Sequence, residues 1–134
     1  MIKIKSIKLT LNKSQRIKKK RIFDELFKSG FSKTKHPVRI VWIETDLVEA
    51  NSLQTAYVVP KRLFKSAAIR NLLKRRIKEA FRINQQEVLD LLNENKKQFA
   101  ILFMYSSNKQ SDYLNIEKSV KHLLSQFIKS NELD

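Results

Sequence analysis

"SAAIRNLLKRRIKEAFR", residues 66–82, repeats its apolar residues at helical spacing and carries six Lys/Arg against a single acid, Glu79. At about 100° per residue, Ile69, Leu73, Ile77 and Ala80 fall within roughly 80° of one another, with Phe81 at the margin. Asn71, Lys74, Arg75, Lys78 and Arg82 fall on the opposite side. The segment therefore reads as a helix with one face in a core and the other presenting cations. Three uses of such a face are open: a solvated surface, a membrane or calmodulin-like groove, and a polyanion. A face that only confers solubility mixes both signs, and an apolar side committed to a core is not free for a membrane. Arginine favours phosphate, because its guanidinium fork can hold two oxygens at once.

The charge is unevenly distributed along the chain. Residues 1–39 hold 13 Lys/Arg and 2 acids, 40–60 hold none and 3, 61–82 hold 9 and 1, and 83–134 hold 6 and 7. Two basic blocks thus supply the excess in a 134-residue chain of formal charge +15, and nucleic acid is the leading partner. The absence of cysteine excludes disulfides, thiolate metal sites and cysteine nucleophiles. "MIKIKSIKLTLNK" does not read as a signal peptide, and "FAILFMY", the longest apolar run, is too short to span a bilayer, so no membrane role and a cytoplasmic location are expected. The length fits one domain over 1–134, with short flexible ends at about 1–9 and 130–134.

Upstream, "RIFDELFKS" pairs Ile22/Leu26 and Phe23/Phe27 at i,i+4 and precedes the only glycine, Gly30, which predicts a helix at about 20–29 ended by a left-handed residue. "VRIVWIET" (38–45) and "LQTAYVVP" (53–60) read as neighbouring antiparallel strands, with "FSKTK" a shorter third. The pattern of the basic helix continues into "INQQEVLDLLN". "QFAILFMYS" reads as a strand buried on both faces. A last helix follows an N-cap at Ser111 or Asp112, with Leu114, Ile116, Val120, Leu123, Leu124, Phe127 and Ile128 on its apolar side. The order αβββαβα predicts a two-layer α+β sandwich.

Ala67, Arg70, Asn71, Leu73, Lys74, Arg75, Ile77 and Lys78 form a pattern that resembles the protein subunit of bacterial ribonuclease P. Arg16, Ile17, Phe23, Leu26, Phe27 and Gly30 extend it, as does "VVPKR" before the helix, over roughly residues 9–129. Leu72 stands where many members have arginine, and "LFKSA" lacks the glycine that many carry before the helix. The resemblance implies a left-handed crossover from strand through the basic helix to a parallel "FAILFMY" strand, where general handedness rules favour a right-handed one.

It also implies the function: assistance to a catalytic RNA that uses Mg²⁺ to remove the 5′ leader from precursor tRNA. On that reading Arg70, Asn71, Lys74, Arg75, Lys78 and Arg82 bind the catalytic RNA. The single-stranded leader lies in a cleft between the sheet and the basic helix. There Phe23, Phe27 and Trp42 stack on bases, and Lys61, Arg62 and Lys65 line the rim. The protein itself then holds no cofactor, no metal and no small-molecule substrate, Mg²⁺ being held mainly by RNA. The residues agree, for His36 and His122 form no ligand pair and one glycine cannot build a phosphate loop. Two other functions share these features: a structural RNA-binding protein of ribosomal type, and a DNA-binding regulator using the same helix.

Overall fold

The computed structural model describes residues 16–47 and 52–131. Four helices and four strands follow in the order α1 (Lys20–Ser29), β1 (Phe31–Lys35), β2 (Val38–Glu44), β3 (Leu53–Val58), α2 (Ala67–Asn84), α3 (Gln86–Asn95), β4 (Phe99–Tyr105) and α4 (Tyr113–Asn131). The α+β class holds, with one helix more than expected. The expected end at 1–9 lies outside the described residues, and α4 runs on to Asn131.

The strands lie in the order β1-β2-β4-β3. β2 and β3 are therefore not the antiparallel neighbours that the sequence suggested; β4 separates them. It pairs antiparallel with β2 from Val38↔Tyr105 to Glu44↔Phe99, and parallel with β3 from Leu53↔Phe99 to Val58↔Met104. The physical reason is the apolarity of β4 at consecutive positions. A strand with two faces to bury gains most in mid-sheet. Phe99, Ile101, Phe103 and Tyr105 face α2, α3 and α4, and Ala100 and Leu102, with Val41 of β2, face Ile22 and Leu26 of α1. α1 thus covers the sheet face opposite the other helices.

The basic helix ends at Asn84, and α3 begins after Gln85 instead of prolonging it. An 18-residue helix at about 1.5 Å per residue already runs back along the whole length of a strand of six or seven residues at about 3.3 Å each. A straight continuation would overshoot the sheet, and the break at buried Gln85 folds Val88 and Leu92 back onto the core. In α4, Asp112 is the N-cap, its Oδ1 accepting from Asn115 N at 2.9 Å. Leu114 is exposed, outside the apolar side to which it was assigned. Among the described residues no helix is long and apolar enough to cross a membrane.

Gly30 corrects another expectation. Its φ is −70°, an ordinary extended value, so left-handed backbone is not what requires glycine. A Cβ there would collide with the Leu26 carbonyl oxygen and come within 2.7 Å of Val41 Cγ1, where α1 meets β2. Replacing glycine by alanine at a compatible φ normally gains about 0.4–1 kcal/mol through the unfolded chain. Overpacking costs about 1–3 kcal/mol. Gly30→Ala is therefore expected to lower the melting temperature by several degrees, and a melt equal to or above the parent's would show that the contact yields freely.

Candidate nucleic-acid interface

The rotation of α2 is set by Leu73, Ile77, Ala80 and Phe81, all buried, with the Phe81 ring 5.3 Å from Phe103. Ser66 caps the helix, its Oγ accepting from Ile69 N at 3.3 Å. Asn71, Lys74, Arg75 and Lys78 consequently face outward, and they form one wall of a groove of about 480 Å³. The floor and the other wall are Thr55, Ala56 and Tyr57 of β3 with Arg16 and Ile17. Residues 16 and 17 reach this place by adding to the free edge of β3, Ile17 N donating to Thr55 O at 2.9 Å. Tyr57 stacks on Phe103 at 5.7 Å, and burial pushes its phenol above the ordinary value.

Arg16 is the groove cation that sequence reasoning did not assign to a site, and Ile17, Thr55, Ala56 and Tyr57 were not assigned either. Only the place of Arg16 in a basic block and its family spacing marked it, since strand addition by two residues leaves no periodic signal.

The six residues expected to bind the catalytic RNA divide into two groups. The side chains of Asn71, Lys74, Arg75 and Lys78 have no hydrogen bond or ion pair among the described residues. Arg82 and Arg70 differ. Arg82 grips Glu79 through Nε at 2.9 Å and Nη2 at 2.6 Å, and this hydrogen bonding lowers the Glu79 carboxyl below its ordinary value and raises the guanidinium. Its charge is largely compensated at the far end of the helix. Arg70 donates from Nη1 to the carbonyls of Phe64 at 2.8 Å and Lys65 at 2.9 Å. Arg76 likewise serves the fold, donating to Ser111 O at 2.7 Å.

The expected leader residues do not form one cleft with the basic helix. Ile22 and Leu26 pack α1 on the opposite sheet face, which carries Phe23 and Phe27 with it. Phe23 is half-buried against the cluster that holds Ile22 and Leu26, a cluster that Ala56, Val58 and Met104 also pack against, whereas Phe27 is 63% exposed. Ala56 also lines the basic groove, so the apolar cluster and the groove adjoin there. Trp42 is a correction: it is 3% exposed, edge-on to Phe127 at 5.3 Å, and belongs to the core on the α4 side. Its strand partner Phe31 is 67% exposed and was missed. Alternation with lysine in "FSKTK" was the available signal. Lys61, Arg62 and Lys65 are exposed in the turn before α2. Among the described residues no three His, Asp or Glu side chains gather as a metal ion requires.

Comparison with known proteins gives a consistent result. The profile of the Ribonuclease P family matches residues 11–128. Two Ribonuclease P protein components from strains of Porphyromonas gingivalis are 28% and 30% identical over 114 and 115 residues, covering 85% of this chain and 83% of each relative. The fold matches the Staphylococcus aureus RNase P protein at 2.0 Å with TM-score 0.67 and 24% identity, over 84% of this chain and 94% of that one. It matches the Thermotoga maritima RNase P protein with TM-score 0.64 and 22% identity, over 83% and 96%.

The two aromatic environments separate in one experiment. Phe27→Ala is expected to leave stability within about 0.5 kcal/mol of the parent, as exposed positions do. Trp42→Ala is expected to cost roughly 3–5 kcal/mol. Chemical denaturation of both variants checks this, and a large loss at Phe27 would place it in the core.

Proposed function

Since the chain belongs to the ribonuclease P protein family, we propose that it assists a catalytic RNA in removing the 5′ leader of precursor tRNA, and that the groove between α2 and β3 is where it holds the RNA subunit. The observation that carries this is the set of cations, without an ion-pair partner among the described residues, on two facing walls: Lys74, Arg75 and Lys78 on the helix, and Arg16 on the strand edge. Phosphates entering the groove meet positive charge from both sides. Association releases the counterions that surround the RNA, which makes it strongly salt-dependent. Asn71 adds a neutral donor and acceptor among them.

The protein's contribution is electrostatic and positional. Bringing RNA subunit and precursor tRNA together opposes two polyanions, and a protein of net charge +15 lowers that repulsion. The leader is assigned to the surface of α1, with Phe23 and Phe27 offering stacking worth about 1–3 kcal/mol per base, while Lys61, Arg62 and Lys65 meet phosphates of the leader or of the RNA subunit at its rim. On this reading hydrolysis, with the Mg²⁺ it uses, is the work of the RNA. A ribosomal-type protein, the alternative, would share the basic groove without acting on a tRNA precursor.

Reconstitution tests the proposal. The protein added to a bacterial ribonuclease P RNA at low Mg²⁺ is expected to restore leader removal, and rigorously RNA-free protein is expected to cleave nothing. Binding to the RNA without rescue would support the ribosomal-type alternative, and metal-dependent cleavage by the protein alone would contradict the division of labour.

A further inference from the structure

Arg70 opens the Arg-Asn pair of the basic helix, yet its guanidinium holds the preceding turn. That turn must join β3 to α2 without a glycine. Three contacts shape it besides Arg70: Leu63 N donates to Pro60 O at 3.1 Å, the Phe64 ring lies 5.8 Å from Tyr105, and Ser66 caps the helix. None of them holds the carbonyls of Phe64 and Lys65, and Arg70 Nη1 takes both. A cationic donor strengthens such bonds, and Arg70 is half-buried where it makes them. Three exposed cations, Lys61, Arg62 and Lys65, ride on the turn so fastened.

We propose that Arg70 is a positioning residue for RNA binding: it fixes the Phe64–Lys65 backbone, and the phosphate contacts are made by Lys61, Arg62 and Lys65. This rests on the RNA-binding reading given above. Free of Arg70, the turn samples other conformations, and its three cations must be ordered anew each time RNA binds. That ordering is the entropy the two carbonyl contacts remove in advance. The geometry also explains how the turn dispenses with glycine, since side-chain bonds to adjacent carbonyls set its path.

A double-mutant cycle on affinity for ribonuclease P RNA tests the assignment. It uses Arg70→Met, which keeps the stem and the helix propensity, the turn variant Lys61→Ala/Arg62→Ala/Lys65→Ala, and their combination. Arg70→Gln replaces the methionine variant should that one not fold. At ~150 mM salt the turn variant is expected to weaken binding about 10- to 100-fold and Arg70→Met about 5- to 30-fold. The combination should lie within about twofold of the turn variant alone, because coupled residues are not additive.

In the free protein, hydrogen exchange at residues 63–66 should quicken in Arg70→Met while the melting temperature holds. A purely structural role would instead lower stability and weaken binding equally in both backgrounds. Losses that multiply would make Arg70 a direct phosphate ligand and overturn the proposal, as would a turn variant that binds like the parent. Lys78→Ala, run alongside, distinguishes the two levels: weakened binding there with an uncoupled Arg70 removes only this inference, whereas parent-like binding throughout removes the RNA-binding reading as well.

Discussion

The packing of α2 on the central strand governs everything else in the molecule. Leu73, Ile77, Ala80 and Phe81 are completely buried, and the core they enter contains Phe103 and Tyr105 of β4. Each large side chain buried in this way contributes about 1.5–3 kcal/mol. Like charges spaced three or four residues apart on the exposed side cost only about 0.2–0.5 kcal/mol per pair. Burial therefore wins easily, and the helix can crowd cations on its outer face at a cost its inner face covers several times over. The same packing fixes the angle at which those cations are presented.

Where cations serve the fold, they have partners. Lys20 and Arg21 on α1 sit one turn from Asp24 and Glu25, at 3.5 and 3.2 Å, Arg82 has Glu79, and Arg76 reaches the Ser111 carbonyl. Among the described residues Lys74, Arg75 and Lys78 have none, on the wall that faces Arg16 across the groove. A basic block in a sequence thus resolves, once folded, into cations that fasten the chain and cations left for a ligand. The apolar cluster beneath α1 meets the groove at Ile17 and Ala56, so the two surfaces adjoin although they occupy opposite faces of one sheet.

Much of this was legible in the residues. The wheel of α2 placed its buried and open faces correctly because both follow from local periodicity, and the strands and the last helix stood out for the same reason. What periodicity cannot convey is which strands become neighbours. β2 and β3 looked like a hairpin because they are close in sequence, although the doubly apolar β4 was the better clue to the middle of the sheet. The break at Gln85 left no trace because Val88 and Leu92 continue the same helical phase. In the site, strand register buries Trp42, which the resemblance had placed among the stacking residues, and leaves its partner Phe31 exposed. Arg70 and Arg82 show the matching limit for charge, since a helical wheel gives the direction of a side chain's origin and not what its far end reaches.

The central claim is that the open face of α2 is built for RNA and is more than solvated surface. The salt dependence of affinity for ribonuclease P RNA tests it most directly. The parent protein, neutralising roughly 6 to 10 phosphates, should lose about 10³- to 10⁵-fold in affinity between ~50 and ~200 mM monovalent salt. Arg75→Glu/Lys78→Glu should flatten the dependence of log affinity on log salt by about two units or more, while Arg82→Glu, at a residue already compensated by Glu79, should change it far less. An unchanged slope in the Arg75/Lys78 variant would contradict the account.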